Sequence, residues 1–249
     1  MKVALITGGA GAVGAATARM LASDGFSVVL ADKAEEAAQL VAEEIRSNHP
    51  VEAVAEPVDL SIPGAVAALV ARVGERFGRL DCLVNNAGRS GAPKIAEVDL
   101  DEWNAVMAVN LTAPMLLVKE ALPLMRRTGG GSIVNVASRV YLSGTGLGYA
   151  SSKTGLIGLT MALAVQLGRD RIRVNAVAPS FLNSPFNKKA VEANNDLVES
   201  FIRITPLERV GTPEDVAGAI AFLASDRASF ITGDILHVCG GAQLAPQPG

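Results

Sequence analysis

Val3-Ala4-Leu5-Ile6-Thr7 is a short apolar run that passes without a linker into Gly8-Gly9-Ala10-Gly11-Ala12-Val13-Gly14 and then into a helical stretch, Ala15 to Ala22. A buried strand, a glycine turn and a helix start in that order constrain the fold more than anything else in the chain. Such a turn lets backbone N–H groups and the positive end of the helix dipole face a pyrophosphate, with glycine wherever a Cβ would block the approach. Val28-Val29-Leu30-Ala31-Asp32 reads as the next strand. It ends in a carboxylate at the separation expected for binding the adenosine ribose hydroxyls. Asp32 therefore argues for NAD over NADP, because its charge repels a 2′-phosphate. Lys33 beside it could instead pair with such a phosphate.

The same alternation continues to the end. Candidate strands begin near Val3, Val28, Ala53, Leu80, Ser132, Arg173 and Ile235, with helical patterns between them and no Pro/Gly/Ser-rich linker. The expected fold is α/β: a single domain over residues 1–249, with a doubly wound, Rossmann-like, parallel seven-stranded sheet and helices on both faces.

A second feature carries chemistry. Tyr149 and Lys153 stand four residues apart, so on a helix a phenol and an ammonium lie over one another on one face. Using a phenol as a base near neutrality means bringing its pKa down from about 10, at a cost of about 4 kcal/mol. One nearby cation lowers a pKa by about 1 to 3. Lys153 is borderline by itself, and a second positive charge such as an oxidised nicotinamide ring would bring the phenol into range.

With both halves in hand, the chain resembles the short-chain dehydrogenase/reductase family from about Val3 to Gly241. The matching blocks are Thr7-Gly8 to Gly14, Asp59-Leu60, Asn85-Asn86-Ala87-Gly88, Asn110, Ser138, Tyr149 to Lys153, Asn175 to Pro179, and Ile231-Thr232-Gly233. The resemblance implies a catalytic tetrad of Asn110, Ser138, Tyr149 and Lys153. Tyr149 would exchange the substrate's hydroxyl proton, Lys153 would depress its pKa and hold the nicotinamide ribose, and Ser138 would orient the substrate oxygen. Asn110 would anchor its helix and a proton-carrying water. The implied cofactor contacts are Gly8, Gly11, Ala12, Val13, Gly14, Asp32, Lys33, Asp59, Leu60, Asn86, Ala87, Gly88, Tyr149, Lys153, Pro179, Leu182 and Ser184. Asp59 would meet the adenine, Asn86 to Gly88 would flank the adenosine and steady the central strand, and Ser184 would help bind the carboxamide. The implied activity is an NAD-dependent dehydrogenase of secondary alcohols, or a carbonyl reductase in reverse, in a homotetramer built on the helices carrying Asn110 and Tyr149. The alternatives are an NADPH-dependent 3-oxoacyl reductase, against which Asp32 speaks, and a non-catalytic dinucleotide-binding regulator.

Departures from the family pattern have local meaning. Ala12 stands where glycine is usual, Ser180 follows Pro179 in place of glycine, and Cys239 stands where an aspartate precedes Gly240-Gly241. The stretch from Ser138 to Tyr149 is short, with Ser143 a fallback for the serine role. The polar segment 183–205, with Lys188, Lys189, Asn194, Asn195 and Asp196, reads as a substrate lid. Pocket residues are expected from Arg89 to Lys94, Arg139 to Leu147 and that lid. Arg89 and Arg139 would favour an acidic substrate unless they pair with local acids such as Glu97. Asp99 with Glu102 spells a helix cap before Trp103, which then reads as a packing residue.

Composition sets limits. A formal net charge of −3 with 49% hydrophobic residues gives no reason to expect nucleic acid or an anionic membrane as partner. Arg19 and Asp24 interrupt any N-terminal membrane span. Cys82 and Cys239, assigned to the fourth and seventh strands, suit a reducing, cytoplasmic compartment as separate thiols. His49 and His237 without a companion cluster argue against a metal.

Overall fold

The computed structural model describes residues 1–91, 94–144, 146–187, 191–192 and 196–244. The chain runs β1 (Lys2–Thr7), α1 (Ala12–Ser23), β2 (Phe26–Asp32), α2 (Glu35–Asn48), β3 (Ala53–Pro57), α3 (Pro63–Phe77) and β4 (Cys82–Asn85). It continues through α4 (Leu100–Met107), α5 (Ala113–Arg127), β5 (Gly131–Val136), α6 (Val140–Ser143), α7 (Leu147–Leu167), β6 (Ile172–Pro179), α8 (Leu197–Arg203), α9 (Pro213–Ala224) and β7 (Ile235–Val238). The strands form one parallel sheet in the order β3-β2-β1-β4-β5-β6-β7. The expected strands are all present; β2 begins earlier than Val28 and β4 later than Leu80. Cys239 lies just beyond β7, and both cysteines are buried free thiols.

The two faces follow from alternation along each strand. On β1, Ala4 and Ile6 turn to the face covered by α1, α2 and α9, where Leu21, Ile45 and Ile220 are buried. Val3 and Leu5 turn to the opposite face, against Leu69 and Val73 of α3 and Leu117, Leu124 and Met125 of α5. The continuous helical stretch Leu100–Arg127 is long and apolar enough to cross a membrane by length and composition. Its apolar side is spent on this core. Asp99 caps α4 by accepting from the Glu102 N–H, and Trp103 lies against α7, where a Cβ on Gly148 would sit 3.7 Å from the indole.

Between α4 and α5 the helix widens into a π turn, Ala108–Thr112, around Asn110. Pro114, four residues on, has no N–H to give the Asn110 carbonyl, and its ring crowds that carbonyl. The ladder slips by one residue, and the Ala113 N–H pairs with the Ala108 carbonyl instead. Such bulges concentrate at functional sites.

β1 and β4 are neighbours, while β2 and β5 lie outside them in opposite directions, so the strand order reverses between β1 and β4. Ligands of this architecture bind in the crevice that opens there, beyond the carboxyl ends of the strands. The glycine turn that forms its floor tolerates almost no added atoms. A Cβ on Gly14 would stand 2.0 Å from the Gly8 carbonyl oxygen, and one on Gly9 2.7 Å from Leu30 Cβ. Ala12 is merely the first residue of α1, behind the N-cap Gly11. We therefore expect Gly14→Ala to lose about 1–3 kcal/mol of stability as the backbone shifts, while Ala12→Gly changes it by less than about 1 kcal/mol. Urea unfolding of the two variants checks this.

Candidate active site

A cleft of about 990 Å³ opens along the carboxyl ends of the strands. One end is built by the glycine turn. Gly8 sits at φ +64°, where an L side chain is strained, and its N–H and that of Gly9 both reach the Ala31 carbonyl. Asn86 clamps the turn from β4 by donating to the carbonyls of Thr7 (2.9 Å) and Gly8 (3.1 Å), while the Thr7 hydroxyl accepts from the N–H groups of Asn86 and Ala87. Asp32, at the end of β2, accepts from the Ala10 and Ala34 N–H groups, both at 3.0 Å. Asp59 accepts from the N–H and hydroxyl of Ser61. Those bonds, aided by the nearby charges of Lys33 and Arg89, hold its carboxyl below the usual range. A dinucleotide fits this end: the turn presents main chain where side chains cannot go, and Asp32 and Asp59 line the walls.

The other end holds Ser138, just past β5, and Tyr149 and Lys153, one helical turn apart on α7. The Ser138 hydroxyl acts on that of Tyr149 to lower its pKa, but burial outweighs that and pushes the phenol up. Lys153 is fully buried. Its Nζ donates to the Val136 carbonyl at 2.7 Å and stands 5.7 Å from the centre of the Tyr149 ring. Desolvation lowers its pKa to about 8. The ammonium is held at a main-chain carbonyl, and in the protein alone desolvation of Tyr149 prevails.

Of the expected contacts, Gly8, Gly11, Ala12, Val13, Asp32, Lys33, Asp59, Leu60, Asn86, Ala87, Gly88, Pro179, Leu182 and Ser184 line the cleft with Ser138, Tyr149 and Lys153. Two residues stand behind it. Gly14 lies beneath Gly8, where the absence of a side chain lets helix and turn touch. Asn110 is buried in the π turn, where its side chain bonds both the N–H and the carbonyl of Arg89 and donates to Ser152 Oγ, which in turn donates to the Tyr149 carbonyl. It positions the cleft and does not line it. Ser143 lines the cleft from the exposed end of α6, but the partner of the phenol is Ser138.

Both arginines line the cleft. The charge of Arg89 acts on Asp59, at the cofactor end, and Arg139 donates to the Ala242 carbonyl at 3.0 Å. The Glu97 side chain, and Lys188, Lys189, Asn194 and Asn195 of the lid, lie outside the described residues. Sequence reasoning missed Val109, Val136 and Phe181, and did not single out Phe186 and Phe201 within the lid. Phe181 and Phe201 stack at 4.5 Å, and Phe186 stands 6.1 Å from the Tyr149 ring. Three phenylalanines in and around the lid were the available signal.

A family model described as enoyl-(acyl carrier protein) reductase matches residues 8–243. The chain is 41% identical to cis-4-hydroxycyclohexanecarboxylate dehydrogenase of Sinomonas cyclohexanicum, over 96% of both proteins. It is 36% identical to a 3-oxoacyl-[acyl-carrier-protein] reductase of Thermotoga maritima, over 96% of this chain and 97% of that one. The crystal structure of levodione reductase superposes with a TM-score of 0.91 at 33% identity, covering 97% of each chain. The chain belongs to the short-chain dehydrogenase/reductase family and is an oxidoreductase.

The buried ammonium leaves a signature in stability. Lysine in the unfolded chain keeps its proton up to about 10.5, but Lys153 in the folded protein keeps it only to about 8. Between these values the unfolded state holds more protons, so the free energy of unfolding rises with pH. Denaturant titrations at stepped pH should show this rise in the wild type and its loss in Lys153→Met.

Proposed function

We propose that the chain is an NAD-dependent dehydrogenase of secondary alcohols, acting as a carbonyl reductase in reverse, with Tyr149 as the general acid and base. The supporting observation is the gathering of Ser138 and Tyr149 beside a buried lysine, at one end of a cleft whose other end is the glycine turn. A bound nicotinamide dinucleotide supplies or accepts the hydride. Tyr149 gives its proton to the developing alkoxide in reduction and takes it from the alcohol in oxidation. Ser138 bonds the same substrate oxygen and holds it at the phenol. Lys153 lies beside Tyr149 and Gly88 and would hold the ribose hydroxyls. Asn110 ties the Arg89 loop to the first turns of α7 and so sets the height of Tyr149 over the cleft. Ser184, which lines the cleft, would help bind the carboxamide.

The reading includes one domain over residues 1–249 with 183–205 as lid, a cytoplasmic location and a homotetramer. Exposed Met115 on α5 and Met161 and Val165 on α7 support assembly through those helices. The second reading, an NADPH-dependent 3-oxoacyl reductase, draws support from Lys33 and Arg89, two cations beside Asp59 at the adenosine end. The Thermotoga maritima relative bears that name.

Two experiments test the proposal. Tyr149→Phe should lower kcat at least about a hundredfold with a panel of secondary alcohols while NAD affinity stays near wild type; near wild-type turnover sinks the mechanism. The wild type should also show the higher kcat/KM with NAD, and Asp32→Asn should narrow the gap to NADP by removing the repulsion of a 2′-phosphate. A clear wild-type preference for NADP would establish the second reading.

A further inference from the structure

We propose that Tyr141 and His237 are positioning residues for Ser138: their hydrogen bond clasps α6 to β7 and so sets the direction of the Ser138 hydroxyl. The inference rests on the reading of Ser138 as the group that holds the substrate oxygen. α6 is one turn of four residues, Val140–Ser143, and a lone turn makes too few hydrogen bonds to hold its own shape. The chain leaves it at once through Gly144, in the left-handed conformation at φ +66°. Its place must therefore come from tertiary contacts.

The clasp supplies them. The Tyr141 hydroxyl and His237 Nε2 stand 2.7 Å apart, with the two rings stacked at 5.9 Å and 28° from parallel. His237 lies opposite Ala178 in the register of β6 and β7, so Tyr141 reaches from beyond the end of β5 over β6 to the edge strand. On the way its ring packs against the small buried cluster of Ala137, Ile157 and Ala176.

α6 in turn aims the serine. The Val140 N–H, first in α6, donates to Ser138 Oγ at 3.3 Å. A hydroxyl that accepts on one side keeps its proton for an oxygen on the other, and Ser138 lines the cleft with Tyr149. The backbone of the serine is already fixed, because the N–H groups of Ala137 and Arg139 donate to the Val177 and Pro179 carbonyls of β6, both at 2.8 Å. What β6 leaves open is the rotation of the side chain. A slack α6 would let the hydroxyl turn among its staggered positions, not all of which face the substrate oxygen.

The test uses the intact enzyme with NAD and the secondary alcohol that the wild type turns over best. Tyr141→Phe keeps the ring and its packing but removes the hydroxyl. It should lower kcat about fivefold, the scale of one hydrogen bond, with the KM for NAD unchanged. His237→Leu should do the same, the double variant should lose no more than either, and His237→Gln, which keeps an acceptor, should recover most of the loss. The decisive background is Ser138→Ala, where Tyr141→Phe should cost nothing further, since a clasp that acts through the serine has nothing left to aim. A wild-type kcat in Tyr141→Phe, or the same loss with and without the Ser138 hydroxyl, overturns the inference. Hydrogen exchange of the amides of residues 139–144 separates this result from a failure of the proposed reaction. If the wild type turns over no alcohol, that reaction is at fault; faster exchange in Tyr141→Phe than in the wild type then still supports the clasp, and unchanged exchange refutes it.

Discussion

The site depends on how closely β1 and β4 are joined at the point where strand order reverses. Thr7 and Asn86 exchange hydrogen bonds there through side chains and main chain together, and the Gly8 carbonyl is shared between the Asn86 amide and the space left by Gly14. Each such bond is worth about 1 kcal/mol net, but leaving one of these part-buried groups unpaired costs more. The lock therefore acts less as a store of stability than as a constraint. With it in place, the turn's N–H groups, Asp32 and Asp59 face one cleft; a Cβ at any of three glycines would push them apart.

A second set of buried polar contacts fixes the reacting end. Asn110 joins the loop after β4 to Ser152 on α7. Deeper in, Asn85 donates to Asn135, Asn135 to Thr160, and Thr160 to the Leu156 carbonyl, which links β4, β5 and α7 in one chain. Buried polar groups of this kind specify a geometry because a displaced helix would leave several of them without partners. Tyr149 and Lys153 thus inherit their positions from residues that never face the cleft. The electrostatic outcome is a phenol pushed up and an ammonium pushed down, both by loss of water.

The β/α order, all seven strands, the glycine turn and the placing of Tyr149 over Lys153 were legible in the sequence, since each rests on local periodicity or on a short motif whose geometry is set by the backbone; Ser138 was legible only through the family resemblance. The π turn was legible in principle from Pro114, four residues after Asn110, but only if the missing N–H is traced to its partner. The tether of Arg139 to Ala242 could not be read, because those residues lie far apart in the chain and meet only when β7 closes the sheet.

By itself, then, the sequence determined the class of fold, the end of the sheet that carries chemistry and the residue types gathered there. Only the tertiary structure decided which of those residues face the cleft and which brace it from behind. It placed Gly14 and Asn110 out of the cleft, tied Arg139 to the Ala242 carbonyl and brought Phe186 beside Tyr149. The physical reason is range: strand and helix periodicity are set by neighbours along the chain, whereas burial and the pairing of charges depend on elements that the chain brings together only in folding.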